Sequence, residues 1–214
     1  MVNNEMNNPN VYVVDDDPAI LASMRQSFQS VGMQARTYHS AEEFILDYSS
    51  KCAAQPAACL ILDLQMPGMK GMKLIEWLRA HHLHLPVIVL SGHGNIPAVV
   101  DSMKLGAVEF LEKPVDHRLL VQRVREVLQS EAQQCKERAK VQEIRDSFAT
   151  LTAREKELVE LLASGLSSKQ IATKVGIARK TVENHRSHVL AKTRATNVAS
   201  LVRMKMIAAQ AAVA

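Results

Sequence analysis

Short apolar runs without polar alternation constrain the fold of this 214-residue chain more than any other feature. The clearest runs are Val11–Val14, residues 59–62 and residues 87–90, and a weaker one occupies residues 108–111. A further strand is predicted at residues 34–38. Runs of four or five apolar residues are typical of strands that are buried on both faces of a sheet. The first 130 residues are therefore expected to contribute five strands to one sheet.

The segments between these runs have apolar residues at helical spacing. Met24 and Phe28 recur four residues apart in the first such segment, and Leu74 and Leu78 do so in another. Strands that alternate with helices predict an open parallel α/β sheet, wound on both faces. We place this five-stranded, doubly wound domain at residues 9–129.

Each of four predicted strands ends in a polar residue that could take part in chemistry. Asp15, Asp16 and Asp17 follow the first strand, and the other three residues are Asp63, Ser91 and Lys113. A single aspartate at a strand end is usually a turn or cap residue. Polar residues at four strand ends are harder to explain as four independent turn residues. The carboxyl ends of parallel strands meet at one edge of the sheet, and ligands bind to such sheets at that edge.

The residue types at this edge indicate a phosphoryl site. Clustered carboxylates repel one another unless a cation lies among them, and hard carboxylate oxygens suit Mg²⁺. Lys113 adds an ammonium and Ser91 adds a hydroxyl donor. A divalent ion, an ammonium and a hydroxyl suit the equatorial oxygens of a phosphoryl group. Asp63 is then the candidate nucleophile, which would form an aspartyl phosphate.

The composition changes after this first domain. Residues 1–130 have a net charge of −3, whereas residues 131–214 have a net charge of +7. A basic module suggests a nucleic-acid partner, although a solvated surface would also explain the bias. Residues 130–147 are charged, rich in glutamine, and lack Gly and Pro. We interpret them as a helical linker, with a flexible coil as the alternative.

The final segment, residues 148–210, has residues that are typical of the starts and ends of four short helices. Thr152 and Glu155 have capping-box spacing before an apolar stripe. Gly165 ends that helix, Ser167 or Ser168 can cap the second, and Gly176 ends the second. The third helix is predicted at residues 179–192 and the fourth at residues 197–210. An all-α domain of four helices is therefore expected.

The second and third of these helices have the spacing of a helix-turn-helix. Ala172 permits close approach of the helices, Gly176 permits a left-handed turn, and Val182 packs the third helix onto the second. The third helix leaves a polar and basic face outside, which suits the major groove of DNA. The alternative is a solvated face in a protein-binding bundle. The exposed residues are Arg179, Lys180, Glu183, Asn184, Arg186, Ser187 and Lys192.

Other features exclude several classes of protein. The apolar runs are all far shorter than the roughly 18–20 residues of a membrane span, and the polar start of the chain is unlike a secretory signal. Cys52, Cys59 and Cys135 are an odd number without a C-x-x-C pair, which argues against disulfides and structural zinc. A cytoplasmic protein is expected. The histidines at positions 81, 82 and 84 are interpreted as loop residues rather than metal ligands.

Four strings in residues 9–129 resemble the receiver domain of two-component response regulators. They are Val-Val-Asp15-Asp16-Asp, Asp63-Leu-Gln-Met-Pro-Gly-Met-Lys-Gly71, Ser91-Gly-His-Gly and Glu-Lys113-Pro. The resemblance implies that Asp63 accepts a phosphoryl group from the phosphohistidine of a sensor histidine kinase and later loses it by self-hydrolysis. The chain would otherwise not be an enzyme.

The same resemblance assigns roles to the neighbouring residues. Asp16 and Asp63 would bind Mg²⁺, with Asp15 acting partly through water and Gln65 through its backbone carbonyl. Lys113 and Ser91 would contact the phosphoryl group, and the Lys113–Pro114 bond is expected to be cis. Ser91 and Phe110 stand where many receivers have the Thr and Tyr of a switch pair, so this aromatic has no hydroxyl.

Residues 148–210 resemble the LuxR-type DNA-binding domain. The strings are Leu-Thr-Ala-Arg-Glu155, Gly165-Leu-Ser-Ser-Lys-Gln-Ile-Ala172 and Thr-Val182-Glu-Asn-His. Together with the receiver, they make the chain similar to NarL/FixJ-type response regulators, closer to the FixJ branch. The resemblance implies that Glu183, Asn184 and Ser187 face base edges. It also implies that the last helix is a dimer helix, with packing of its apolar stripe in the domain core as an equal alternative. The residues expected to contact DNA phosphates are Arg179, Lys180, Arg186, Lys192 and Arg194.

This resemblance implies a transcription factor that is controlled by phosphorylation. An unphosphorylated receiver would either mask the DNA-binding helix or leave the chain monomeric. Phosphorylation would change the surface around helix four, residues 96–105, and strand five, and two receivers would then pair. A homodimer would bind an operator of double-stranded DNA, with RNA polymerase as a possible further partner.

Two other functions fit parts of the sequence. A Mg²⁺-dependent phosphatase would use the same aspartate, serine and lysine, but such enzymes usually have their nucleophile on the first strand. The Asp15-Asp16-Asp17 string could supply it, yet the chain lacks the length of a cap domain and the basic module would have no role. The other alternative, a DNA-binding protein with a vestigial acidic site, conflicts with the presence of every site residue.

Overall fold

The computed structural model describes residues 10–49, 57–92 and 96–210. Cys52 and His93 lie outside these ranges. The described chain divides into two compact units, one ending at Cys135 and the other beginning at Lys136. None of the helices in the described ranges is long and apolar enough to cross a membrane.

The first unit contains a parallel sheet of five strands in the order β2-β1-β3-β4-β5. The central strands β1, β3 and β4 are buried throughout because apolar residues alternate between two helix-covered faces. In register, Val14 lies beside Leu62, so strands distant in sequence end at one edge. The strands are β1 Val11–Val14, β2 Ala35–Tyr38, β3 Cys59–Asp63, β4 Val87–Ser91 and β5 Glu109–Glu112.

Helices cover both faces of the sheet, which confirms the predicted doubly wound α/β class. One face packs against α1 and α5 through residues such as Phe28 and Val124. The other packs against α2 and α3 through Phe44 and Leu74, with α4 at the margin. The helices are α1 Pro18–Ser30, α2 Ala41–Ser49, α3 Gly71–Ala80, α4 Ile96–Lys104 and α5 His117–Ala149.

Helix α5 is longer than the helix predicted to close the first domain. It has 33 residues, and the expected linker at 130–147 lies wholly inside it. Its first turns pack on the sheet through Leu120, Val121 and Val124. The sequence after these residues lacks Gly and Pro, so the backbone has no reason to leave the helical conformation near residue 129.

The second unit contains four shorter helices with the caps that the sequence predicts. Thr152 and Glu155 form a capping box, and Ser167 rather than Ser168 caps the second helix. Gly176 adopts the left-handed conformation, with φ of 72°, at the turn of the helix-turn-helix. The helices are α6 Ala153–Ala163, α7 Ser168–Val175, α8 Arg179–Thr193 and α9 Val198–Gln210.

Candidate functional site

The polar residues of the strand ends meet at one edge of the sheet, as the topology requires. Asp15 directly follows β1, Asp63 and Ser91 are the last residues of β3 and β4, and Lys113 directly follows β5. Asp15, Asp63 and Ser91 are buried, with exposed fractions of 2%, 7% and 1%. The Lys113–Pro114 peptide bond is cis. Four residues that span nearly 100 positions of sequence thus form one polar cluster.

Lys113 holds the two buried carboxylates together. Its Nζ donates to Asp15 Oδ2 at 2.6 Å and to Asp63 Oδ2 at 2.7 Å. The other oxygen of Asp63 accepts the backbone N–H of Gln65 at 3.0 Å, and the other oxygen of Asp15 accepts that of Asp17 at 3.0 Å. Each carboxylate is therefore fixed by one charged and one backbone donor.

Burial and charge act in opposite directions on this cluster. Burial raises the pKa of Asp15 above its usual range, and the hydrogen bonds from Lys113 and from the backbone of Asp17 offset this only in part. Burial alone would lower the pKa of Lys113, but the hydrogen bonds and charges of Asp15 and Asp63 outweigh it and raise that pKa. The ammonium is thus held in its charged form beside Asp63.

The donor set of this edge fits a hard divalent cation. Asp15, Asp16 and Asp63 each offer a carboxylate oxygen, and these oxygens lie within 4.8 Å of one another. Asp16 is exposed, whereas the other two are buried, so the cluster is open on one side. Oxygen donors with an open side suit Mg²⁺, which typically keeps several waters. Gln65, which follows two residues after Asp63, is exposed at the same edge.

Ser91 and Phe110 lie on neighbouring strands at this edge. Ser91 is buried at the end of β4, and its carbonyl accepts the backbone N–H of Lys113 at 3.0 Å. Phe110 of β5 lies in register with Val89 of β4, is half-buried and packs against the core of the α2–α3 face. This aromatic ring on an edge strand therefore contacts the core and is also partly exposed to solvent.

The loop that follows Asp63 is held by contacts that cannot be predicted from the sequence. Glu42 of α2 accepts the backbone N–H of Met69 at 2.9 Å, and Lys70 Nζ donates to the carbonyl of Met66 at 2.8 Å. A Cβ on Gly71 would lie 2.3 Å from the carbonyl oxygen of Asp63. Glu42 is one exposed acid among several on the chain, so sequence alone gives no signal for its contact.

Most of the predicted DNA-facing residues are exposed on α8, and Arg194 directly follows this helix. Val182 and Val189 are buried against α6 and α7, and Ala172 of α7 is buried in the same core. Arg186 is half-buried. The exposed members of the predicted set are Arg179, Lys180, Glu183, Asn184, Ser187, Lys192 and Arg194.

Three of the five basic residues expected at phosphates are in ion pairs. Arg179 pairs with Glu183, and Arg194 pairs with Glu143 of α5, both at 2.7 Å between highly exposed side chains. Lys192 pairs with Glu155 at 2.7 Å, where the carboxylate is only 7% exposed. Exposed pairs open at little cost, whereas the Lys192 pair has a structural role.

Glu155 joins the start of α6 to α8. Its Oε2 accepts from Lys192 Nζ, from the backbone N–H of Thr152 at 2.8 Å and from the hydroxyl of Thr152 at 3.0 Å. The hydrogen bond from Lys192, followed by that from the Thr152 backbone, lowers the pKa of Glu155 to about 2. Because this folded-state pKa is below the usual value, the charge stabilises the fold at pH above about 4.5 and stops doing so as pH falls through about 2.

We expect Glu155→Gln to lower the free energy of unfolding of the second unit by about 1–2 kcal/mol at pH 7. The amide keeps an acceptor for Thr152 but loses the charge that Lys192 binds. The difference should shrink toward zero near pH 2. Far-UV circular dichroism during urea unfolding measures it, and Trp77 fluorescence reports separately on the first unit.

Glu157→Gln is the matched control for this prediction. Glu157 lies on the same helix and pairs with Arg154 at 2.8 Å, but both side chains are at least half exposed. We expect a change of less than about 0.5 kcal/mol, as for surface pairs generally. Equal effects of the two substitutions at pH 7 would contradict a structural role for the Lys192 pair.

Helix α9 divides its apolar residues between core and surface. Leu201 is fully buried, and Val198 packs against the same core. Met206 is 58% exposed, and Val202 is half-buried. The first turns of α9 therefore belong to the domain core, while Met206 is available to a partner.

Comparison with known families matches both units. The response regulator receiver domain family matches residues 11–125, and the luxR family of bacterial regulatory proteins matches residues 149–205. The first match contains the four strand ends, and the second contains α6, α7 and α8.

Individual relatives match nearly the whole chain. The transcriptional regulatory protein FixJ of Azorhizobium caulinodans is 38% identical over 92% of this chain and 92% of its own length. The solved structure of the response regulator StyR superposes with a TM-score of 0.82 at 35% identity, covering 92% of this chain and 98% of StyR. Full-length FixJ from B. japonicum gives a TM-score of 0.55 at 33% identity, covering 94% and 97%.

The sequence, the fold and these relatives all indicate the same two-domain organisation. A parallel α/β unit with an acidic edge precedes a four-helix unit that contains a helix-turn-helix. This protein belongs to the FixJ-type two-component response regulators, in which a receiver domain is joined to a LuxR-type DNA-binding domain.

Proposed function

We propose that Asp63 accepts a phosphoryl group from a sensor histidine kinase and that its phosphorylation controls dimerisation and binding to operator DNA. The observation that carries this proposal is the Lys113 ammonium, which lies 2.7 Å from Asp63 and 2.6 Å from Asp15 at the strand ends. It neutralises a buried carboxylate that must approach an anionic donor. The proposed domains are residues 9–129, 130–147 and 148–210.

In the proposed transfer, a carboxylate oxygen of Asp63 attacks phosphorus. The bond between phosphorus and the imidazole nitrogen of the kinase breaks, and its electron pair stays on that nitrogen. Lys113 and the hydroxyl of Ser91 are the donors for the phosphoryl oxygens. In self-hydrolysis, water attacks the same phosphorus and returns the Asp63 carboxylate and inorganic phosphate.

Asp15, Asp16 and Asp63, with the backbone carbonyl of Gln65, would hold Mg²⁺. Support comes from the three carboxylate oxygens, which lie within 4.8 Å of one another. When bound, Mg²⁺ supplies positive charge to the phosphoryl oxygens. Lys113 keeps the buried carboxylates of Asp15 and Asp63 in place. The exposed Asp16 lies on the open side of this cluster.

A groove beside Lys113 suits the kinase segment that presents the phosphohistidine. It lies between α1 and the chain after β5, with a volume of about 500 Å³. Ile20, Met24 and Val115 give it an apolar lining, and Lys113 borders it. An amphipathic helix could bury its apolar face there while its phosphohistidine reaches Asp63.

The conformational change that follows phosphorylation would extend from Asp63 to the surface of α4 and β5. Ser91 would donate to the new phosphoryl group, and Phe110 would turn inward from its half-buried position. Helix α4 supports a pairing role because its only buried residue is Ser102, while apolar side chains are exposed. Ile96, Val100 and Met103 are the exposed ones, and Val108 lies in the connection to β5.

We expect Mg²⁺ and acetyl phosphate to raise the dimer fraction of wild type in sedimentation velocity, and to leave Asp63→Asn unchanged. Val100→Lys should prevent the increase, because it would place charge in the proposed apolar interface. Leu46→Lys is the matched control, since Leu46 on α2 is 77% exposed and lies outside this surface. Loss of dimerisation in both variants, or in neither, would contradict the assigned surface.

The dimer would place two α8 helices on the half-sites of an operator. Glu183, Asn184 and Ser187 are the proposed contacts to base edges, and the proposed phosphate contacts are Arg179, Lys180, Arg186, Lys192 and Arg194. Support comes from the net charge of +7 in residues 131–214 and from the exposed polar face of α8. RNA polymerase is a further proposed partner, and the cytoplasm, where bacterial DNA lies, is the proposed location.

A further inference from the structure

The β3–α3 loop, residues 64–70, joins the phosphoacceptor strand to the next helix. Gln65 in this loop donates its backbone N–H to Asp63 Oδ1 at 3.0 Å, and its carbonyl is a proposed ligand of Mg²⁺. The conformation of the loop therefore affects the site twice. It orients the carboxylate of Asp63, and it sets the direction of a carbonyl that would bind the metal.

The two halves of this loop are anchored to different extents. Met66 is 1% exposed in the core of the α2–α3 face, and Lys70 Nζ donates to its carbonyl at 2.8 Å. Met69 packs against the same core but is only half-buried. Gly68 is exposed and has a φ of 70°, a left-handed conformation that other residues rarely adopt. Gly68 and Met69 therefore form the less buried half.

Glu42 of α2 holds this less buried half from outside the loop. Its Oε1 accepts the backbone N–H of Met69 at 2.9 Å, which is a charge-assisted hydrogen bond. The same oxygen would lie 2.9 Å from a Cβ on Gly68, so the carboxylate fills the space beside that glycine. Over the described part of the chain, this is the loop's one hydrogen bond to a side chain of another element.

A contact of this kind can control metal binding without contributing a ligand. Glu42 lies outside the carboxylate cluster of Asp15, Asp16 and Asp63, so its effect on a metal would pass through the loop. When a metal binds only one conformation of a loop, its apparent Kd is the intrinsic Kd divided by the fraction of molecules in that conformation. Loss of a hydrogen bond that favours this conformation therefore weakens metal binding.

We propose that Glu42 is a positioning residue of the Mg²⁺ site, which holds the β3–α3 loop in its metal-binding conformation through the backbone of Met69. The inference rests on the proposed Mg²⁺ site and adds to it a residue from a different helix. Coupling between two binding events is reciprocal. Mg²⁺ should therefore strengthen the hydrogen bond of Glu42 to Met69 by the same factor by which that bond strengthens Mg²⁺ binding.

The test is a titration of the ¹⁵N-labelled full-length protein with MgCl₂, followed by NMR. Amide shifts give the Kd for Mg²⁺, and amide hydrogen exchange in the same samples reports on the Met69 N–H. Wild type is compared with Glu42→Ala and with Glu42→Gln, whose amide oxygen can still accept the N–H. Glu43→Ala is the charge-matched control, because exposed Glu43 accepts the backbone N–H of His39 at 2.7 Å, outside the loop.

We expect Glu42→Ala to raise the Kd for Mg²⁺ about three- to tenfold, and Glu42→Gln and Glu43→Ala to raise it less than about twofold. The Met69 amide of metal-free Glu42→Ala should exchange faster than that of wild type. Saturating Mg²⁺ should restore part of its protection, although Met69 is not a proposed ligand.

Three results would overturn the inference. The Kd of Glu42→Ala could equal that of wild type, or Glu43→Ala could raise it as much. An equal loss in Glu42→Gln and Glu42→Ala would show that the charge of Glu42 attracts the metal and that its hydrogen bond has no role. Absence of any shift with Mg²⁺ in wild type would instead overturn the proposed metal site itself.

Discussion

Lys113→Met should lower the free energy of unfolding of the receiver by about 3 kcal/mol at pH 7 in EDTA. Lys113 is the shared cation of Asp15 and Asp63, at 2.6 and 2.7 Å, and both carboxylates are buried. Removal of one partner from a buried pair leaves charge that neither water nor protein neutralises. Urea unfolding followed by fluorescence of Trp77, the single tryptophan, measures the change in this unit.

Added Mg²⁺ should raise the free energy of unfolding of Lys113→Met by more than it raises that of wild type. In wild type the ammonium competes with any added cation, whereas the variant leaves two carboxylates that a divalent ion can neutralise. Lys104→Met is the control, because Lys104 is exposed at the end of α4 and its ammonium has no ion pair in the described part of the chain. If Lys113→Met were as stable as Lys104→Met in EDTA, the structural role of the bridge would be refuted.

Gly71→Ala should strongly disrupt the structure next to Asp63. The new Cβ would lie 2.3 Å from the carbonyl oxygen of Asp63 and 2.9 Å from Cα of Leu64. Both atoms belong to backbone, so relief requires the start of α3 or the end of β3 to move. We expect a loss of about 2–3 kcal/mol in receiver stability and slower phosphorylation by acetyl phosphate.

Gly92→Ala adds the same methyl group where, among the residues that the structure describes, it meets no atom within 4 Å, and the backbone φ is ordinary. It should change receiver stability by less than about 0.5 kcal/mol. Trp77 fluorescence during urea unfolding compares the two variants. Equal stability of Gly71→Ala and wild type would mean that α3 can retreat from β3 freely, contrary to the close packing described above.

The receiver was predictable because its strands are read from local pattern and its site from topology. Val11–Val14 and residues 59–62 and 87–90 are uninterrupted apolar runs, and the polar residue after each one lies at the same edge of a parallel sheet. The weaker run at residues 108–111 begins one residue before strand β5, because Glu109–Glu112, half-buried except for the exposed Glu112, lacks a clear pattern. Capping residues such as Thr152 and Ser167 were predictable because their bonds are local.

Contacts between distant residues were not predictable. Lys192 and Glu155 are 37 positions apart, and only the packing of α8 against α6 shows that this lysine supports a capping box. Glu42 and Met69 are 27 positions apart, and nothing in either residue announces the bond. In contrast, Arg179 and Glu183 have the i,i+4 spacing of helical ion pairs, so that pair could have been found from sequence.

The central claim is that Asp63 is the phosphoacceptor. The direct test is the intact mass of wild type and Asp63→Asn after incubation with Mg²⁺ and acetyl phosphate. We expect wild type to gain about 80 Da, one phosphoryl group, and Asp63→Asn to gain nothing while keeping its circular dichroism spectrum. An equal gain in both proteins would place the acceptor elsewhere, and no gain in wild type would contradict the claim that this edge accepts a phosphoryl group.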